Sequence, residues 1–182
     1  NRANWNSQKE KKDIYEIKLS ESLRMKRNLG LFVETYIKQN NLNLGIRKSE
    51  VAKGGKVILL SRSYVNYPSL HEKLTKELKR EKGERIDTLF CSTDENNLTN
   101  FFESCNEEYW NGFYKPTRKD FPRNNDAFRI FHYESIRGLE GWLVVLDEMD
   151  EYYEYLTKYR DPCIKKEEAI QRMLISLSRP ID

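Results

Sequence analysis

Short apolar runs that alternate with amphipathic stretches constrain this chain more than any other feature. Ile14 to Leu19 alternates apolar and polar residues at the period of a strand. Lys56 to Ser61 carries Val-Ile-Leu-Leu, and Ile86 to Cys91, Phe128 to Tyr133 and Trp142 to Leu146 are further short apolar runs. Between them, Leu29, Phe32, Val33, Tyr36 and Ile37 predict a helix over about 25–39. Leu70, Leu74 and Leu78 predict another over about 68–81, with Pro68 in its first turn and Gly83 beyond its end. Asp94 and Glu95 open a weaker helix with Leu98, Phe101 and Phe102. Ile170, Met173, Leu174 and Leu177 share one face of a last helix closed by Pro180. Strands that are apolar throughout are buried on both sides. The pattern therefore predicts an α/β fold, a mostly parallel sheet covered by helices on both faces. Functional residues of such folds gather at the carboxyl ends of the strands.

At 182 residues the chain suits one domain, expected over 13–182 after a polar, flexible segment 1–12. Lys plus Arg is 32 and Asp plus Glu is 29, a net charge of +3 that excludes a polycation but leaves room for a local basic face. The longest apolar run, Trp142 to Leu146, is far short of the ~20 residues of a membrane span, so no membrane partner is expected. The start, Asn-Arg-Ala-Asn, is too polar for a signal peptide and lacks Met; the chain is expected to be a piece of a longer protein. Three widely spaced cysteines (Cys91, Cys105, Cys163) argue against a disulfide framework or zinc ribbon and for a reducing, cytoplasmic location. With two histidines, a multi-histidine metal site is not expected.

The most specific segment is Phe128-Arg-Ile-Phe-His-Tyr-Glu-Ser-Ile-Arg-Gly-Leu-Glu-Gly-Trp-Leu-Val-Val-Leu146. Two apolar strands flank a loop with Ser135, Arg137, Gly138, Leu139 and Glu140. A glycine lets backbone approach a ligand closely, and a neighbouring Arg and Glu can grip phosphate and ribose. The same letters also suit an ordinary strand-turn-strand with solvated charges.

Arg137-Gly-Leu-Glu140 resembles the Lys/Arg-Gly-Leu-Glu core of motif V in superfamily 1 helicases of the UvrD/Rep type. Leu177-Ser-Arg-Pro-Ile-Asp182 resembles motif VI, Leu19-Ser-Glu-Ser-Leu-Arg24 resembles motif IV, and the strand Val57 to Arg62 resembles the Leu-x-Arg-Thr strand that follows motif IV in that family. The resemblance runs from about residue 14 to 182 and implies a RecA-like, P-loop NTPase-like domain, the second motor domain of a helicase or translocase. It implies that Arg24 and Arg179 reach the γ-phosphate of ATP, which is bound with Mg²⁺ mainly by a preceding RecA-like domain absent from this sequence. It also implies that Glu140 holds the ribose, and that Arg137, Gly138 and Ser135 lie in the loop coupling nucleotide to single-stranded DNA or RNA. His132 and Arg62 are further candidates for the nucleic-acid side. Supplying the arginines from a second domain makes hydrolysis depend on closure. The isolated chain is then not expected to hydrolyse ATP. Glu134 stands where the family often has a nucleic-acid-contacting His, Ser22-Leu23 replaces Asn-Tyr, and the short spacing before motif V leaves no room for a large inserted domain.

Leu143-Val-Val-Leu-Asp147-Glu148 imitates a Walker B strand, but no Walker A loop occurs: Gly54-Gly55-Lys56 precedes Val. Asp147 and Glu148 are instead expected at the solvated rim. Tyr109, Trp110, Phe113, Tyr114 and Phe121 interleave with Lys115, Arg118, Lys119 and Arg123, which suits either single-strand binding or a loop folded over its own aromatics. Lys73, Lys76, Lys79 and Arg80 read as a solvated helix face. Two alternatives remain: a non-catalytic helicase-like module that docks nucleic acid or protein, and a nuclease using Asp147, Glu148 and Asp150. The second is disfavoured because no lysine lies at short spacing on the same strand.

Overall fold

The computed structural model describes residues 25–42, 52–113, 124–160 and 166–181. In chain order these form α1 (Arg27–Gln39), α2 (Pro68–Arg80), β1 (Thr88–Ser92), α3 (Glu95–Ser104), β2 (Tyr109–Asn111), β3 (Phe128–His132), β4 (Leu143–Leu146), α4 (Met149–Glu154, continued by a π turn Tyr155–Arg160) and α5 (Lys166–Leu177). The strands make one sheet in the order β2-β3-β1-β4, and every neighbouring pair is parallel. Phe90 lies opposite Ile130 on one side and Val145 on the other. β1 is therefore interior, and Thr88–Ser92, which carry no charge, are all buried.

The sheet has a core on each face. Phe90, Phe128, Ile130 and Val145 pack with Tyr64 and with Leu98, Phe101 and Phe102 of α3, and Leu70 and Leu74 of α2 lie against this cluster. Leu89, Cys91 and Phe131 pack on the other side with Ile136, with Tyr152 of α4, and with Ala169 and Met173 of α5. α1 lays Leu29, Val33 and Ile37 against Leu174 of α5. α3 begins as its sequence dictates, with Asp94 accepting from the amide of Asn96 at 2.9 Å.

The apolar run Lys56–Ser61 corrects the expectation of a buried strand. Val57, Ile58, Leu59 and Leu60 are all exposed and, among the described residues, belong to no ladder. Both edges of β1 are taken, by β3 and β4, and Gly54 and Gly55 at φ 107° and 85° turn the chain just before the run. β2 lies inside a stretch that reads as irregular; Tyr109, Trp110 and Asn111 align with Phe128, Arg129 and Ile130. α4 is likewise additional, with Met149, Tyr152 and Leu156 facing the sheet. The candidate strand Ile14–Leu19 lies outside the described residues.

The connection from β3 to β4 matters most for function. Residues 133–142 run from the carboxyl end of β3 back to the amino end of β4 without an α-helix. They start with a tight turn (Tyr133–Ser135) and are held down by buried Ile136. Gly138 has φ 81°, a left-handed conformation that favours glycine. Gly141 has no room for a side chain: a Cβ there would meet the Leu143 carbonyl oxygen at 2.9 Å and that of Asp87 at 3.2 Å.

Candidate functional site

The Arg-Gly-Leu-Glu loop ends at the amino edge of the sheet, where two arginines grip its backbone. Arg179, just past the end of α5, donates from Nη1 to the Leu139 carbonyl at 3.2 Å and from Nε to that of Ile175 at 2.8 Å, while its Nη2 reaches Ser178 Oγ at 3.0 Å. Arg129 of β3 donates from Nη2 to the Glu140 carbonyl at 2.8 Å and from Nε to that of Thr88 at 3.1 Å. Burial lowers the Arg129 pKa, and the nearby carboxylate of Asp87 opposes that shift. The Gly141 amide donates to the Arg179 carbonyl at 3.3 Å, and the Ile181 amide donates to the Gly141 carbonyl at 3.0 Å. Pro180 and Gly141 form a parallel bridge, and the Ile181 carbonyl accepts from Lys26, immediately before α1. Arg129 of β3 and the 179–181 segment thus meet at residues 139–141, and the Ile181 carbonyl carries the link on to Lys26.

The sequence candidates divide between the two ends of the sheet. Arg179 and Glu140, the latter half-buried, come together at the amino end of β4 and the end of α5. Functional residues are expected from the sequence at the carboxyl ends of the strands, and this meeting lies at the opposite end. The return of residues 133–142 along the sheet accounts for the difference. Arg137 and Gly138 are exposed along that return, and Ser135 is exposed near the carboxyl end of β3. His132 ends β3, with Nδ1 accepting from the Glu134 amide at 3.2 Å and its ring edge-on to Phe113 and Tyr152. Arg62 is exposed beside Ser63, which reaches the carboxyl end of β4. Arg24 lies outside the described residues.

At that carboxyl end, Asp147 is not at a solvated rim: it is 2% exposed. Ser63 Oγ donates to both carboxylate oxygens at 3.0 Å, and the Tyr64 amide donates to Oδ1 at 2.6 Å. Burial raises the Asp147 pKa, while these hydrogen bonds and nearby Asp150 act in opposite senses on it. The carboxylate is an anchor for the 63–66 turn, which a Walker B reading does not anticipate. The anchored Tyr64 pushes its ring into the core and shares a 3.0 Å hydrogen bond with His71 Nδ1. Glu148 follows at φ 52° and accepts from Asn97 Nδ2 at 3.3 Å. Among the described residues no group of three or more His, Cys, Asp or Glu side chains is arranged to hold a metal ion.

Glu134 does not stand as a bare negative charge. Arg172 of α5 donates to it from Nη1 at 3.0 Å and to Glu168 from Nη2 at 3.0 Å. Of the aromatic-basic stretch, the described members pack on their own protein. Tyr109 donates to Glu103, which with burial pushes its pKa up to about 12; Trp110 lies against Phe131, and Phe113 meets His132. Tyr114, Lys115, Arg118, Lys119, Phe121 and Arg123 lie outside the described residues, as does Cys163. Cys91 is buried and Cys105 half-buried, and both are free thiols. Lys73, Lys76, Lys79 and Arg80 form an exposed face of α2.

Sequence reasoning missed Arg129 and Asp147 as organising residues. Arg129 is the charged residue inside the apolar run Phe128–Phe131, and that interruption is its only signal. No helix among the described residues is long and apolar enough to cross a membrane. Compared with known proteins, the chain matches no family model, no curated protein and no solved structure.

Proposed function

We propose that this chain is the second, RecA-like motor domain of a UvrD-like superfamily 1 helicase or translocase. In this reading it supplies Arg179 to ATP and Mg²⁺ held by a preceding motor domain and couples hydrolysis to movement on single-stranded nucleic acid. The observation that carries the reading is the junction of Arg179 with Leu139, which joins two motif-like segments 40 residues apart. In this reading Arg179 would supply positive charge to the phosphate and Glu140 would hold the ribose, while Arg129, bonded to the Glu140 carbonyl, keeps the loop backbone fixed. Phosphoryl transfer is promoted mainly by positive charge on the transferring group, so a guanidinium delivered by domain closure fits the chemistry.

One observation favours a second reading, a non-catalytic helicase-like module that docks nucleic acid or protein: Arg179 already spends Nε, Nη1 and Nη2 on acceptors of its own chain. The two readings part on one experiment, in a protein where this chain follows an ATP-binding motor domain. Steady-state hydrolysis with saturating single strand is compared between wild type and Arg179→Ala, alongside a nucleotide-binding titration. The motor reading expects turnover to fall on the order of a thousandfold with little loss of ATP affinity, because the finger acts on transition-state charge. Unchanged turnover rejects it and leaves Arg179 as a loop staple.

A further inference from the structure

We propose that Val57–Leu60 is the docking edge for an extended acidic peptide of a partner protein, which adds to it as a strand. The four side chains are 42, 50, 81 and 36% exposed, and among the described residues no hydrogen bond reaches their backbone. An apolar segment with open amides and carbonyls is a template for strand addition. The fold holds this one in place. The Gly54 carbonyl accepts from the Asn28 amide at 2.9 Å and the Gly55 carbonyl from Asn28 Nδ2 at 3.0 Å. Lys56 pairs with Glu77 in the last turns of α2, and Ser61 Oγ lies 3.2 Å from the hydroxyl of Tyr67, the residue before that helix. The chain from 56 to 61, roughly 17 Å when extended, matches the roughly 15 Å that the helix rises between 67 and 77. The run therefore lies antiparallel alongside α2, and just beyond it Ser63 and Tyr64 are fixed on Asp147.

Charge selects the partner. Residues 52–82 carry eight Lys or Arg against three Glu, a larger excess than the +3 of the whole chain. Lys53 and Lys56 stand before the run and Arg62 after it, all exposed, and exposed Lys73 lies one helical turn before Glu77, on the side of α2 that meets the run. Among the described residues no ion pair reaches Lys53, Arg62 or Lys73. An incoming strand with carboxylates at both ends meets a cation at each, while its apolar side chains lie beside Val57–Leu60. A second copy of this edge brings cations to cations. Single-stranded nucleic acid shares the negative charge, but the run has no aromatic ring on which a base could stack. An anionic membrane surface leaves the same amides and carbonyls in a medium that cannot bond them.

The test uses the full chain and a synthetic peptide, Asp-Glu-Val-Thr-Val-Thr-Val-Asp-Glu. Fluorescence anisotropy should show binding that weakens as salt is raised, and a peptide with Lys at the acidic positions should bind at least about tenfold more weakly. In amide hydrogen exchange, saturating acidic peptide should slow alternate amides of the run, Val57 and Leu59 or Ile58 and Leu60, by about tenfold or more, because one added strand pairs with one edge. The double variant Ile58→Pro and Leu59→Pro removes an amide from each edge and should weaken peptide binding about tenfold or more. Phe90 and Ile130 amides, protected throughout, report that the sheet is intact. No binding of the acidic peptide, equal binding of the lysine peptide, or an affinity untouched by the double variant would overturn the proposal. So would slow exchange at 57–60 without peptide, since the edge is then already paired, or tighter binding of oligothymidylate or phosphatidylserine vesicles than of the peptide, lost in the same double variant.

Discussion

Leu143-Val144-Val145-Leu146 and Val57-Ile58-Leu59-Leu60 are apolar runs of nearly the same composition, yet one is β4 and the other stands outside the sheet. β4 registers Leu143 to Leu146 against Thr88 to Cys91, which buries Val145 and half-buries the other three. The 57–60 run has no such register among the described residues. Apolarity marks a segment that must be covered; a ladder partner decides where. Asp147, the residue directly after β4, is the clamp that ties the two regions together through Ser63 and Tyr64.

The largest expected effect breaks the symmetry of the two runs. Val145→Asp puts an unpaired charge at an 8% exposed position and should cost on the order of 4 kcal/mol in urea unfolding, enough to threaten the fold. Leu59→Asp should cost the sheet less than about 1 kcal/mol. Equal losses would mean that the 57–60 run is part of the same cooperative core.

Next in size is the clamp. Asp147→Ala leaves the Tyr64 amide and Ser63 hydroxyl without their acceptor, a loss of about 1–3 kcal/mol by the same assay. The Tyr64 amide should exchange faster as well. An unaltered urea midpoint would show that Tyr64 holds its place through the core alone.

A smaller effect follows from His71, which Tyr64 touches. Burial among Phe90, Phe101, Phe102 and Phe128 lowers its pKa to about 4, so it is neutral when folded, whereas the unfolded chain takes up a proton near 6.5. Its contribution is full above about pH 6.5 and is lost as pH falls from there toward about 4. His71→Gln should flatten that part of a stability-against-pH curve. A slope unchanged by the substitution would assign it to other groups.

Much of the frame was legible because β1, β3, β4 and helices α1, α2, α3 and α5 carry periodic apolar residues with turn signals at their ends. β2 was hidden by its brevity, since Tyr109-Trp110-Asn111 has no room for a period. α4 was masked by Asp150, Glu151 and Glu154, charges on its outer side, although Met149, Tyr152 and Leu156 keep helical spacing. At the candidate site, the pairing of Arg179 with the Arg137–Glu140 loop was readable as motif likeness. Its location at the amino edge was not, because the direction of the 133–142 return is set by tertiary packing of Ile136 and Leu139. The burial of Arg129 and Asp147 was equally invisible: a charge looks solvated until the carbonyls or donors that meet it are placed.

The most direct measurement extends the hydrolysis comparison to Arg179→Lys. Lysine keeps the positive charge but lacks the planar fork that could reach two phosphate oxygens. Motor function therefore predicts turnover close to that of Arg179→Ala, with ATP affinity near wild type. Wild-type turnover in Arg179→Lys and Arg179→Ala alike would contradict it and leave Arg179 as a brace for residues 139–141.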